Sequence, residues 1–146
     1  MQERSMTRRQ VLALGAGAVA SWTTRSALAS DFVVAVSPRV RVKRVSRSKL
    51  RRALTGRLQR WPGGDRVRIV LPPKGSPSMK WLCREVLRVP ESRYRRFLME
   101  KAFRGDIDRP LQAASEREAS ELILEQKGAI GPLPRRLAED LQRPYP

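Results

Sequence analysis

The sequence predicts an α/β domain with a small central mixed sheet flanked by helices. Two apolar runs, at 31–37 and 66–71, have the length and the β-branched content of strands. Apolar residues between and after them recur at helical spacing, and a last short apolar run follows at 129–130. Strands separated by helices favour crossover connections in a layered α/β domain. We expect this domain to occupy residues 30–134, followed by a polar tail at 135–146 that is either a frayed helix or disordered.

Residues 1–29 have the pattern of an export signal. Arg8 and Arg9 precede a mildly hydrophobic run, and Ala27 and Ala29 form a small-residue cleavage site. The arginine pair resembles a twin-arginine signal, the class that exports folded proteins, and the alternative is an ordinary secretory signal with a chance arginine pair. The run is too short to span a bilayer, so we expect no transmembrane anchor in the mature chain. Both interpretations predict an exported protein of the periplasm or cell envelope.

The first strand and the basic segment after it come next in the chain. Val40, Val42 and Val45 alternate with basic residues after Pro38, which predicts an extended section and a candidate second strand. Either Ser46 or Ser48 then caps a short helix that ends at Gly56. This helix buries one apolar side, made of Leu50, Ala53 and Leu54.

The loop after the strand at 66–71 carries the candidate site. Gly75 permits a tight turn, the Ser76 hydroxyl is expected to cap the next helix, and Pro77 suits the first helical position. Free amides at a helix start hold an anion when the site is open. Two interpretations therefore stay open: an oxyanion site, or simply the capped start of a helix.

Two further helices and a loop complete the domain. The helix that starts near residue 90 has an apolar face that runs from Tyr94 to Phe103, with Arg95 among the residues of its basic outer side. A loop is expected at 106–114, and Ser115 with Glu118 has the spacing of a capping box at the next helix. After the short strand at 129–130, two prolines argue against continuation in the centre of a sheet.

The composition restricts the function. The chain carries 31 Lys and Arg against 14 Asp and Glu and no His, and its single cysteine, Cys83, lies within a helical pattern typical of a packing residue. Without His or a recognisable catalytic constellation we expect neither an enzyme nor a bound metal or cofactor. The densest basic segment, Arg39 to Arg52, would bind polyanions, but it lacks the aromatic residues of specific nucleic-acid recognition. We interpret it as a solvated face, with anionic lipid headgroups or cell-wall polymers as nonspecific partners.

Several segments in order carry a resemblance to a known family. They are the strand at 32–36, the helix at 48–56, the turn WPGG at 61–64, the loop KGSP at 74–77 and the terminal GAIG at 128–131. Together they resemble one lobe of the phosphate-type substrate-binding proteins of ABC importers. The resemblance implies a single lobe of the periplasmic-binding-protein type 2 fold, linked to phosphate uptake, with an ABC permease or another protein as partner. It also implies that phosphate or another oxyanion binds at Lys74, Gly75, Ser76 and Ser78.

Two departures from the family pattern predict weak binding. Pro77 stands where the family has a glycine and supplies no amide donor, and Pro132 stands where it has an aromatic residue. A single lobe also leaves its ligand open to water. The alternative function is a basic interaction module that binds a partner protein or an anionic cell-envelope polymer.

Overall fold

The computed structural model describes residues 31–42 and 44–141. The predicted signal, including Arg8, Arg9, Ala27 and Ala29, lies outside the described residues, as do Lys43 and residues 142–146. The described residues form a four-stranded sheet in the order β1-β4-β2-β3. β1 pairs antiparallel with β4, and β2 runs parallel to both β4 and β3. The strands are β1 Phe32–Val36, β2 Arg68–Leu71, β3 Leu111–Gln112 and β4 Ala129–Pro134.

Helices cover both faces of this sheet, which confirms the predicted α/β class with a small mixed sheet. The helices are α1 Arg47–Leu54, α2 Pro77–Trp81, which continues as a π-helical turn at Leu82–Leu87, α3 Glu91–Phe103, α4 Glu116–Glu125 and α5 Arg135–Asp140.

Alternate residues of β1 enter two separate apolar layers, as the two-residue period of a strand requires. Val34 and Val36 pack in the layer that contains α1, α2 and α3, whereas Val33 and Ala35 pack in the layer that contains α4 and α5. The prediction that this strand is buried on both faces is confirmed. In the tail, Ala138 of α5 is buried in the second layer, so residues 135–140 form a packed helix.

The turn WPGG and the terminal GAIG contact each other. Trp61 is buried, and its indole Nε1 donates a hydrogen bond of 2.9 Å to the carbonyl oxygen of Gly128. Gly128 has a φ of 82°, and a Cβ at this position would lie 2.0 Å from the carbonyl oxygen of Arg66. The turn is thereby fixed against Gly128, which precedes β4 and lies next to Arg66, just before β2.

Two sequence predictions about strands are wrong. The described residues at 40–42 and 44–45 are not in a strand: Val40 donates its amide to the carbonyl of Ser37 at 3.1 Å, so the chain turns at Pro38 instead of extending along the sheet. The predicted loop at 106–114 contains β3.

The third correction concerns the prolines of β4. This strand continues through Pro132 to Pro134, although prolines rarely occupy the centre of a sheet. Its pairing with β2 covers only Ala129 and Ile130, whereas its pairing with β1 continues to Pro134. Residues 131–134 are therefore paired with a neighbouring strand on one side only, and the missing amides of the prolines are tolerated on the unpaired side.

Candidate anion loop and basic segment

The four predicted anion-binding residues lie together, on the loop after β2 and the first turn of α2. Gly75 has the predicted left-handed turn conformation, with a φ of 75°. Lys74 and Gly75 are exposed, Ser76 is half-buried and Ser78 is fully buried. An external anion would therefore meet the loop from the side of Lys74 and Gly75.

The Ser76 hydroxyl does not cap α2, so this prediction is wrong. Ser76 occupies the N-cap position, but its side chain accepts no hydrogen bond from the helix. One of the two amides that such a cap could accept, that of Ser78, donates instead to Glu116 Oε1 of α4 at 2.9 Å. The hydroxyl oxygens of Ser76 and Ser78 are buried and have no hydrogen-bond partner.

A second carboxylate occupies the exposed side of the loop. The amide of Gly75 donates to both oxygens of Glu91, at 3.1 and 3.2 Å. Hydrogen bonds to an ionised acceptor are stronger than neutral ones. Of the predicted anion-binding residues, Gly75 and Ser78 thus already donate their amides to carboxylates of the chain, and the Ser76 amide donates to the carbonyl of Pro73.

The topology of the sheet brings Glu116 to this loop. β2 and β3 are parallel neighbours, so their carboxyl ends meet at the same edge of the sheet. The loop with Ser78 follows β2, and α4 with Glu116 follows β3. Ser115 caps α4 as predicted by accepting the amide of Glu118 at 3.0 Å, while the Glu118 carboxylate accepts the amide of Ala114.

Arg95 is half-buried beside Glu91 and not on the basic outer side that the sequence predicts. Its Nε lies 2.9 Å from Glu91 Oε1, and its two terminal nitrogens donate to the carbonyl of Pro72 and to the side chain of Gln112. One guanidinium therefore joins α3, the candidate loop and β3. The spacing of Glu91 and Arg95, four residues apart on one helix, is the sequence signal that predicts this pair.

Two buried titratable groups lie in the first apolar layer. Burial raises the pKa of the Cys83 thiol from 9.0 to about 11, which agrees with the predicted packing role. Burial also raises the pKa of Tyr94, whose hydroxyl donates to the carbonyl of Leu54 at 2.7 Å. This hydrogen bond satisfies the last carbonyl of α1 and fixes α1 to α3.

The charges are divided unevenly along the chain. Residues 39–60, here called the basic segment, contain ten Lys and Arg and no Asp or Glu, whereas residues 85–141 contain eleven of each sign. Six arginines of the basic segment are exposed, and their side chains make neither an ion pair nor a hydrogen bond with the described residues. They are Arg39, Arg41, Arg44, Arg51, Arg52 and Arg57.

Comparison of the chain with protein-family models, with curated proteins and with solved structures found no significant match. In the part of the chain that the structure describes, no helix has the length and apolarity needed to cross a membrane.

Proposed function

We propose that this protein is a non-enzymatic binding domain whose basic segment engages an anionic polymer of the cell envelope. The observation that supports the proposal is the set of six exposed arginines whose side chains have no partner among the described residues. A polyanion holds condensed cations along its chain, and exposed arginines that neutralise its anionic groups release these cations, which raises the entropy and makes the affinity fall with salt. The planar guanidinium also matches phosphate and carboxylate groups in a bidentate geometry.

Polyphosphate titration at several salt concentrations tests this function. We expect saturable binding whose affinity falls steeply with salt. The double substitution Arg51→Gln and Arg52→Gln, at two exposed positions of α1, should reduce the slope of log affinity against log salt by about 1 to 2. Glutamine is chosen because it keeps good helix propensity without the charge.

The matched control is the double substitution Arg117→Gln and Lys127→Gln. It removes the same charge from α4 and from the residues just after it, where Arg117 and Lys127 already lie near Glu121 and Asp65. We expect this control to leave the salt slope almost unchanged. An equal loss in both double variants would show that only net charge matters and would contradict a role for the basic segment.

Oxyanion binding at the candidate loop is the second proposed function. It follows from the resemblance to one lobe of the phosphate-type binding proteins, which also suggests a type 2 lobe, a role in phosphate uptake and an ABC permease as partner. The observation that favours it is that the amides of Gly75 and Ser78 already bind carboxylate oxygens, next to two serine hydroxyls without a partner. Phosphate would have to displace Glu91 or Glu116, which again suggests weak binding.

Amide chemical shifts during a phosphate titration test the second function. Saturable shifts confined to Gly75, Ser76 and Ser78 would support it, and the absence of shifts at millimolar phosphate would contradict it. A parallel titration with sodium chloride at the same ionic strength separates specific binding from general screening of the basic segment.

Export by a twin-arginine signal is also part of the proposal. A reporter fused behind residues 1–30 should reach the periplasm, and the substitutions Arg8→Lys and Arg9→Lys should block its export. Export that survives these substitutions would favour the ordinary secretory signal.

A further inference from the structure

The last turns of α3 expose three large apolar side chains, of which Met99 and Phe103, four residues apart, lie on one side of the helix and form an apolar cluster. Phe97, Met99 and Phe103 are 37%, 41% and 94% exposed, although the sequence predicts an apolar face that continues to Phe103. Tyr94 and Leu98 of the same helix are buried, so the core covers the first turns of α3 and leaves its last turn uncovered. Contiguous exposed apolar surface indicates a contact surface, and Met99 and Phe103 provide it in one concavity.

Arginines surround this apolar cluster. Met99 and Phe103 line an open concavity of about 820 Å³ together with Arg96, Arg104 and Arg109, and Glu100 is the single acidic residue in its lining. Arg104 lies 3.7 Å from Asp106 in an exposed pair, which competes weakly with an external anion. Arg96 and Arg109 form no ion pair with any described residue. The concavity therefore offers an excess of positive charge beside exposed apolar surface.

Phe97 lies on another side of α3, which faces the basic segment. The ammonium of Lys101 lies 5.2 Å from the centre of the Phe97 ring. The stem of the same lysine passes Gly56, where a Cβ would lie 3.1 Å from Lys101 Cδ. Lys101 thus places a positive charge between Phe97 and the residues that follow α1.

We propose that the end of α3 docks on a bilayer that contains anionic lipids. Phe103 and Met99 enter the interfacial layer, and Arg96, Arg104 and Arg109 contact headgroup phosphates at the concavity. An anionic bilayer supplies both chemistries at once, since apolar chains lie directly beneath a layer of negative charge. An acidic protein surface would supply the charge but would also need a pocket for Phe103. This inference is independent of polymer binding by the basic segment.

Co-sedimentation of the full chain with vesicles tests the proposal. Vesicles of phosphatidylcholine with phosphatidylglycerol should bind the protein, and pure phosphatidylcholine vesicles should bind it much less. Phe103→Ala should weaken binding to the anionic vesicles by about five- to tenfold, because a buried ring is lost. The apolar run at 11–20 is common to every variant, so its contribution cancels in the comparison.

An environment-sensitive dye on Phe103→Cys reports insertion at this site. The native Cys83 is buried and its thiol has a raised pKa, so labelling favours the new cysteine. We expect a blue shift with anionic vesicles from the dye at position 103 and none from the dye on Arg117→Cys in α4. Equal vesicle binding by Phe103→Ala and the wild type would overturn the proposal, as would an unshifted dye in vesicle-bound protein. So would a Phe103→Ala variant that changed only the oligomeric state.

Polyphosphate titration of Phe103→Ala separates the two proposals. The substitution leaves every charge in place, so its affinity for polyphosphate should equal that of the wild type. Lost vesicle binding with retained polyphosphate binding supports lipid docking, whereas the loss of both would indicate that the variant is unfolded. Circular dichroism checks whether Phe103→Ala is folded. The control variant Phe103→Leu should retain most vesicle binding.

Discussion

Replacing Glu116 by alanine tests how the candidate anion loop is held. The Ser78 amide donates to Glu116 Oε1 at 2.9 Å, and Ser78 is fully buried, so the substitution leaves a buried donor without this acceptor. Loss of a partner for a buried donor costs about 1 to 3 kcal/mol. Glu116 also lies in the first turn of α4, where an acidic residue contributes about 0.3 to 1 kcal/mol. We expect the free energy of unfolding to fall by about 1.5 to 4 kcal/mol.

Urea denaturation measures this loss, with two control variants. Glu121→Ala removes another carboxylate from α4, but Glu121 is exposed and its pair with Arg117 spans 3.8 Å, so we expect a change below about 0.5 kcal/mol. Glu116→Gln keeps an oxygen acceptor for the Ser78 amide and should lose less stability than Glu116→Ala. An unchanged midpoint for Glu116→Ala, at an unchanged m-value, would refute the structural role of this hydrogen bond.

Phosphate extends the same experiment to the function of the loop. If the freed amide accepts an external oxyanion, phosphate should stabilise Glu116→Ala more than the wild type, because ligand binding to the folded state raises its stability. Sodium chloride at the same ionic strength is the control. Equal effects of phosphate on both proteins would show that the loop amides serve only the chain's own carboxylates.

Three further predictions follow from single contacts. Ser46→Ala should cost about 1 kcal/mol of stability because the Ser46 hydroxyl accepts the Lys49 amide. Ser76→Ala should change stability by less than about 0.5 kcal/mol because the Ser76 hydroxyl has no hydrogen-bond partner among the described residues. Thermal unfolding measures both variants, and a larger loss in Ser76→Ala than in Ser46→Ala would contradict this prediction. Tyr94→Phe should cost about 1 to 3 kcal/mol in denaturant unfolding, since it leaves the Leu54 carbonyl buried without its donor, and an unaffected midpoint would count against that contact. Because the pKa of Cys83 is raised, its thiol contributes fully to the stability of the folded state below pH 9.0. This contribution, about 2 to 3 kcal/mol, is lost as the pH rises through about 11, so stability measured across this range should decline less steeply in Cys83→Ala. Equal slopes for the two proteins would argue against ionisation of this thiol as a cause.

Local patterns predicted the parts of the fold that depend on neighbours in the chain. The β-branched run at 31–37 predicted a strand with both faces buried, and α1 buries the predicted Leu50 and Leu54 behind a Ser46 cap. Gly75 adopts the predicted turn because only a glycine enters that conformation without steric cost. Each of these features is decided within about one helical turn or one strand of sequence.

Contacts between distant segments decided what the sequence could not predict. Ser76 followed by Pro77 has every local feature of a capped helix start, but the Ser78 amide, one of the two that the cap could accept, donates to Glu116, which lies 38 residues after Ser78. No pattern near the loop indicates that carboxylate, because its approach depends on the parallel pairing of β2 with β3. The prediction that Pro132 would end the last strand is wrong for the same kind of reason, since pairing on one side only makes a proline acceptable in β4.

The placement of the acidic residues explains why six arginines of the basic segment have no partner among the described residues. Glu91, Glu116 and Glu118 accept amides at the candidate loop and at the start of α4. Asp108 and Asp65 pair with Arg66 and Lys127, which both lie outside residues 39–60. The acidic residues thus neutralise the second half of the domain and fix its loops, while six exposed arginines of the basic segment have no acidic partner among the described residues. Like charges that are close in sequence and space repel one another, so an external anion lowers the energy of this surface. Folding alone cannot supply that anion, and the basic segment is therefore the part of the described chain where a partner has the most to contribute.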